Sequence, residues 1–245
     1  MKRILLTTAA LGALSLAAPA FAADLGPYTK APALAPAYDW SGFYIGAFGG
    51  GGFGNHNLNN ALGPAGFANF TVNYTSSGAV AGGELGYNYQ SGNIVFGVEG
   101  DYAWADINGN DATQTPTPAA VDATKLRAAA TFRARGGIAV DRLLLFFTGG
   151  WAHGELTHTN ADPVFGIDTF SVNRSGLTAG GGIAYAWTDN VIGKFEYRYY
   201  DFGTYTRAGS PLTPNGQLPF NVANTYSVVT VGLDYKFGGP VVAKY

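Results

Sequence analysis

Val191-Ile192-Gly193-Lys194-Phe195-Glu196-Tyr197-Arg198-Tyr199 decides the fold, because its side chains change character at every second residue. Val191, Phe195, Tyr197 and Tyr199 fall on one face, and Lys194, Glu196 and Arg198 on the other. A period of two is a strand with unlike surroundings on its two sides. Slipping this strand by one residue would carry Lys194 and Arg198 to the apolar side. In a bilayer that costs roughly 2–4 kcal/mol per cation near the midplane, so the register is firmly specified.

The same pattern recurs outward from this stretch. Ile94, Phe96, Val98, Tyr102 and Trp104 oppose Gly97, Glu99, Asp101 and Ala103. Leu126, Phe132, Ile138 and Val140 oppose Arg127, Arg133 and Arg135, and Val229, Val231, Leu233, Tyr235 and Phe237 oppose Thr230, Gly232, Asp234 and Lys236. Eight strands are expected, over residues 40–54, 77–90, 93–106, 124–140, 143–156, 175–187, 191–202 and 225–237. Three connections are tight, at Gln90 to Asn93, Asp141-Arg142 and Thr188 to Asn190. The other four, about 55–76, 107–123, 157–174 and 203–224, are long and rich in Gly, Pro, Asn, Asp and Thr. Strict alternation of long and short connections is the asymmetry of outer-membrane barrels, with long loops outside and short turns in the periplasm.

Composition agrees. Charged residues make up 12% and aromatics 14% of 245 residues, with 36 glycines. Mean hydropathy is +0.06, which excludes a bundle of apolar helical spans but not strands apolar on one face only. The fold class is therefore all-β: an eight-stranded antiparallel up-and-down transmembrane β-barrel. Its interior has room only for its own side chains. The face with glycine and charge suits that lumen, and the face with large aromatics suits lipid. Aromatics near strand ends, such as Tyr102 with Trp104 and Tyr185 with Trp187, would then mark both rims. A soluble barrel with the apolar face inward is the competing arrangement.

Met1-Lys2-Arg3, an apolar run from Ile4 to Ala18, and Ala20-Phe21-Ala22 read as a secretory signal cleaved between Ala22 and Ala23. Its removal takes the formal charge from −2 to about −4. The segments are thus 1–22 signal peptide, 23–39 a Pro-containing periplasmic lead-in, 40–237 barrel and 238–245 a C-terminal tail. Cysteine is absent, so disulfides, thiolate metal sites and a lipoprotein anchor are excluded. An acidic balance leaves no footprint for nucleic acid.

The candidate lumen network comprises Glu84, Glu99, Asp101, Glu196 and Asp234 against Arg127, Arg133, Arg135, Lys194, Arg198 and Lys236. Buried charges persist only when paired, so an ionic plug is expected, with a narrow gated ion path as the alternative. Gly49-x-Gly51-x-x-Gly54 matches a dinucleotide pattern but lacks the helix that must follow, and is assigned to strand packing. His56, His153 and His158 are expected in solvated loops. His153 with Glu155 and Ser171 or Ser175 has no spacing that supports catalysis. The loops carry Phe67, Phe70, Tyr74, Phe165, Phe170, Tyr205 and Phe220.

Several ordered segments carry a family resemblance: Trp40-Ser41-Gly42-Phe43-Tyr44-Ile45-Gly46; Arg133-Ala134-Arg135-Gly136-Gly137-Ile138-Ala139 through Asp141-Arg142 to Thr148-Gly149-Gly150; and Thr188-Asp189-Asn190 before Lys194-Phe195-Glu196-Tyr197-Arg198-Tyr199 and Asp201-Phe202-Gly203. Together they resemble the small outer-membrane surface antigens of rhizobia, Brucella and Bartonella, within the OmpA-like membrane-barrel superfamily. Thr230, Gly232, Tyr235 and Phe237 also look like the assembly signal read by the barrel-insertion machinery, although eight residues follow Phe237. The resemblance implies a non-enzymatic protein of the Gram-negative outer membrane that supports membrane integrity and displays loops, without a bound cofactor. Its partners would be outer-membrane lipid and lipopolysaccharide, and host or phage surfaces. The alternatives are a low-conductance porin-like channel and a haemin-binding protein with a His or Tyr ligand in the loops.

Overall fold

A computed structural model describes residues 38–59, 71–111, 121–162, 166–207 and 220–238. It contains β1 (Gly42–Asn59), β2 (Thr71–Ser91), β3 (Ile94–Asp111), β4 (Val121–Val140), β5 (Leu143–Asp162), β6 (Gly166–Ala186), β7 (Val191–Arg207) and β8 (Phe220–Lys236). Each strand pairs antiparallel with its sequence neighbours, and β8 closes on β1 through pairs such as Ile45 with Tyr235 and Gly49 with Val231. Closure satisfies every backbone group within the apolar zone without leaving an edge, as a bilayer demands.

The expected registers hold along β3, β7 and β8. Phe96, Trp104, Phe195, Tyr197, Leu233 and Tyr235 face outward, while Glu99, Lys194, Glu196 and Thr230 are buried inside. The tight turns depend on left-handed backbone. Gly92 has φ 63°, and Asp141 reaches φ 50°, a conformation that Asp tolerates better than most residues.

Two expectations are corrected. First, the strands run 17 to 21 residues, extending well into the stretches read as loops. About 9–11 tilted residues cross the hydrocarbon, so the surplus lies at the loop end. There the outer wall is polar, with cross-strand pairs such as Thr157 with Ser171 and Asn57 with Asn73, so the apolar alternation that marks the lower strands is missing. Second, β4 is not one continuous alternation. A bulge leaves Arg127 without a partner between Leu126 and Ala128, and sets Ala105 and Asp106 of β3 opposite it. Leu126 consequently points inward and Arg127 outward, the reverse of the sequence reading.

The lumen is layered, and large side chains share it with glycines and charges. At the turn end Val95, Leu144, Phe146, Ala184 and Ile192 pack with Tyr38 and Trp40. Trp40 is 1% exposed. Tyr38, at the end of the lead-in, and Trp40, expected in the first strand but lying just ahead of β1, cork the mouth. The Trp40 indole N–H donates to the Asp141 carbonyl oxygen (3.1 Å), and the Tyr38 amide to the Asp141 side chain (3.2 Å). Burial pushes the Tyr38 phenol up to about 12, so it remains a donor to the Asp189 carbonyl oxygen (3.2 Å). The ionic layer follows, and above it lie Ile107, Leu126, Leu156, Tyr200, Phe202 and Tyr226. The expected signal peptide, the expected cleavage-site residues Ala20, Ala22 and Ala23, and the tail beyond Gly238 lie outside the described residues, as do Phe67, Phe70 and Phe165.

Inward glycines make these layers possible. A Cβ at Gly182 would meet the Phe195 carbonyl oxygen and lie 2.9 Å from Phe146 Cζ, whereas one at outward Gly136 would meet nothing within 4 Å. Gly182→Val should therefore lose about 1–3 kcal/mol of stability by overpacking, and Gly136→Val almost none. Urea unfolding from lipid vesicles measures both; equal losses would contradict the assignment of faces.

Candidate functional site

β3, β4 and β7 each contribute alternate residues to one buried charge layer, and β2 adds Glu84. Glu99 lies directly across the β3–β4 ladder from Arg133. The Arg133 guanidinium forks, with Nη2 donating to Glu99 and to Asp101 Oδ2 (3.0 Å), and Nη1 to Glu196 Oε1 (2.5 Å) and Thr148 Oγ1 (3.2 Å). Because Glu196 stands on β7, this one side chain ties opposite walls of the barrel together.

Glu99 is the second hub. It also forms an ion pair with Arg135 (2.8 Å) and accepts from the Tyr44 hydroxyl (2.6 Å) and from Lys194 (3.4 Å). Lys194 pairs with Glu84. Arg198 reaches Glu196 (2.8 Å), Asp101 (3.3 Å) and Glu84 (3.4 Å). Four carboxylates thus meet four cations, all nearly inaccessible to solvent. Aromatic faces complete the cage, with Arg198 4.6 Å above Phe48 and Arg135 4.2 Å above Phe146.

Asp234 is buried over Gly46 at the edge of this network, its carboxyl against that of Glu84 and near Lys194, with Oδ1 lacking a hydrogen-bond donor. The remaining expected members stand apart. Lys236 caps the turn end, donating to the Asp39 carbonyl oxygen and lying 4.2 Å from the Tyr38 ring. Arg127 is excluded by its bulge. Of the residues expected to form an assembly signal, Thr230 and Gly232 face inward on β8, and Tyr235 and Phe237 lie outward in edge-to-face contact at 5.2 Å.

Carboxylate oxygens of Glu84, Glu99 and Glu196 come within 4.8 Å of one another, a separation that could suit a cation. Arg and Lys donors already occupy those lone pairs, so the donor set fits the protein's own cations and not a metal ion.

The histidine expectation is also corrected. His56 and His158 are 2% and 5% exposed inside the loop end of the barrel, not solvated in loops. His56 Nδ1 bonds Asn224 Oδ1 (2.7 Å), its Nε2 bonds Ser76 Oγ (2.9 Å), and its ring stacks on Tyr74. His158 Nδ1 bonds Thr124 Oγ1 (2.9 Å), and the ring lies against Phe170 and Tyr205. Tyr74, Phe170 and Tyr205, read as loop aromatics, are strand residues of this layer. The sequence signal was faint, since both histidines sit in strand extensions flanked by Asn and Thr. His153 stays on the outer wall, where Nδ1 meets Ser175 Oγ at 3.1 Å; among the described residues no carboxylate is hydrogen-bonded to it.

The family model for the outer membrane protein beta-barrel domain matches residues 6–237. The chain is 32% identical over 245 residues to a 25 kDa outer-membrane immunogenic protein of Brucella abortus, covering 97% of this chain and 99% of the relative. It is 31% identical over 228 residues to a 31 kDa outer-membrane immunogenic protein of Brucella melitensis, covering 85% and 89%. Among solved structures, the outer membrane protein OprG from Pseudomonas aeruginosa aligns over 83% of this chain and 99% of its own length, with TM-score 0.49 and 14% identity.

Removing one partner of a buried network leaves charge uncompensated. Glu99→Gln should cost about 3–5 kcal/mol of unfolding free energy. Asp106→Asn, which breaks only the exposed pair with Lys125, should leave the unfolding midpoint unchanged. The same urea titration reads both, and a harmless Glu99→Gln would refute the hub role.

Proposed function

Because the chain belongs to the outer membrane β-barrel domain family and is an outer-membrane protein of a Gram-negative bacterium, we propose that it works as a closed, non-enzymatic barrel. In this reading it contributes to outer-membrane integrity and holds surface loops outward for contact with host or phage surfaces. The relatives' description as immunogenic fits a barrel whose long connections face outside the cell.

The observation that carries the reading is the Glu99–Arg133–Glu196 chain, which links β3, β4 and β7 across the lumen. Opening a path would have to break several of these pairs together and leave charges uncompensated at that depth, a cost of several kcal/mol per ion. Apolar layers above and below, and the Tyr38–Trp40 cork, oppose ion entry from either end. In this reading the His153–Ser175 contact is a hydrogen bond of the exposed wall. β8, which closes the barrel and carries Thr230, Gly232, Tyr235 and Phe237, is the segment we assign to the insertion machinery.

Planar-bilayer recording on refolded protein tests closure. The wild type should give no current steps at any moderate voltage. Steps of reproducible unit size, abolished by heat-unfolding the protein, would overturn the proposal in favour of a narrow channel.

A further inference from the structure

Two of the three histidines lie in one buried layer of the lumen at the loop end. Asn224 of β8 bonds His56 of β1, whose ring stacks on Tyr74 of β2 with centroids 4.8 Å apart. The Tyr74 hydroxyl meets Thr124 Oγ1 of β4 at 2.5 Å, and the same oxygen meets His158 of β5. One chain of uncharged contacts therefore ties β8, β1 and β2 to β4 and β5 inside the top of the barrel.

The partners suit neutral imidazoles. His56 Nδ1 donates to Asn224 Oδ1, so its Nε2 accepts from the Ser76 hydroxyl, and a second ring proton would face a donor. His158 Nε2 is buried and has no hydrogen-bond partner among the described residues, so nothing there holds a positive charge. The rings facing the pair are Tyr74 from β2, Phe170 from β6, Tyr205 from β7 and Tyr226 from β8. β4 brings the hydroxyl of Thr124, and β3 brings Gly109 opposite it. Arg174 of β6 lies 5.6 Å from the same Tyr205 ring that stacks on His158, a charge of the wrong sign for an imidazolium. Among the described residues no carboxylate is hydrogen-bonded to either ring; the strands run on past the layer through Asp111, Asp122, Asp162, Asp168 and Arg207.

The layer also stands clear of hydrocarbon. Trp104 and Trp151 are exposed on the outer wall, and indoles mark the boundary between acyl chains and headgroups. Further along β5, the outward neighbours of His158 are Thr157 and Thr159; on β1 those of His56 are Asn55 and Asn57. Burial holds His56 below its ordinary 6.5, and burial together with the neighbouring His56 imidazole holds His158 down to about 4.

We propose that His56 and His158 form an acid-released latch: neutral, they hold the loop end of the barrel together, and protonated, they let that end open while the Arg133 layer stays paired. The sign follows from which form each state binds. The closed latch excludes the proton and the opened one accepts it, so the latch is complete above the ordinary histidine range and weakens as pH falls. Below that range each histidine raises the ratio of open to closed by about tenfold per pH unit, and the two together by about a hundredfold. The gain from His158 ends near 4, where the closed form also takes up its proton. The proposal rests on the outer-membrane placement and is independent of whether the lumen conducts.

Hydrogen exchange of the refolded full-length protein in lipid vesicles, read by mass spectrometry, tests it. Dividing each observed rate by the intrinsic rate at that pH gives the opening ratio peptide by peptide. Peptides carrying His56, His158 and Asn224 should show a flat ratio above about pH 7 and a steep rise below about pH 6. Peptides carrying Glu99 and Arg133 should stay flat over the same range. His56→Gln with His158→Gln should abolish the rise, and His153→Gln, on the outer wall, should keep it in full. Each single variant should retain about half of the logarithmic slope, so the test stands even where the double variant does not fold. A flat ratio in the wild type would overturn the latch. So would a rise that survives in the variants, which would assign it to the carboxyls at the strand ends, or a parallel rise at Glu99 and Arg133, which would be acid unfolding of the whole barrel.

Discussion

The rest of the molecule depends on one constraint: the interior of an eight-stranded barrel is only about wide enough for its own side chains, so the charges placed there must be met chiefly by one another. Arg133 is how this chain meets that constraint. Its guanidinium contacts Glu99, Asp101 and Glu196 at once, so three strands cannot slide independently without stranding a charge. A point charge such as lysine could not fork between β3 and β7 in this way. Lys194 also meets three carboxylates, Glu84, Glu99 (3.4 Å) and Glu196 (3.7 Å), but as a compact charge rather than a planar fork.

Much of the architecture was legible because the bilayer writes itself into the outward residues. Each strand crosses with its apolar face exposed, and the resulting period of two survives in β3, β7 and β8 with hardly an exception. The charged face was legible for the complementary reason: five acids and six bases at inward positions have few arrangements other than mutual pairing. Eight of those eleven did meet in one network. Asp234 lies at its edge beside Glu84, whereas Arg127 and Lys236 stand outside it for reasons that no periodicity carries. A bulge inserts its extra residue without any local sequence mark, since Lys125-Leu126-Arg127-Ala128 reads equally well with or without it. Lys236 faces inward as expected, but it meets the lead-in segment, whose docking depends on Tyr38 finding Asp141 more than a hundred residues away.

The apolar lumen layers were hidden by the same logic that revealed the wall. Leu144 and Phe146 sit inward beside outward Leu145 and Phe147, so the start of β5 is apolar on both faces and its periodicity vanishes. What distinguishes the two pairs is available volume. Phe146 packs where Gly182 offers no side chain, and Phe202 fills the space above Gly154, where a Cβ would lie 2.7 Å from its ring. Glycine on one strand therefore licenses an aromatic on another, a non-local relation that no single strand displays.

Height along the barrel then sorts what each part can do. Up to Trp104 and Trp151 the outer wall must be apolar and the ladders complete, because no backbone group can go unpaired in hydrocarbon. Above that level both demands relax together. The outer wall turns to Asn, Ser and Thr, the β6–β7 ladder stops at Leu177 and Asp201, and β7 bends through Gly203 at φ 68°. Arg174 bridges the separated strands with a side chain where backbone pairing has ended. Inside, the layer of His56, Tyr74, Thr124, His158 and Asn224 likewise replaces ion pairs with neutral hydrogen bonds and stacked rings. Such contacts are individually weaker than the Arg–carboxylate pairs below. The demands of hydrocarbon are thus concentrated at the depth of the bilayer, and the loop-end half of the barrel is built under looser ones.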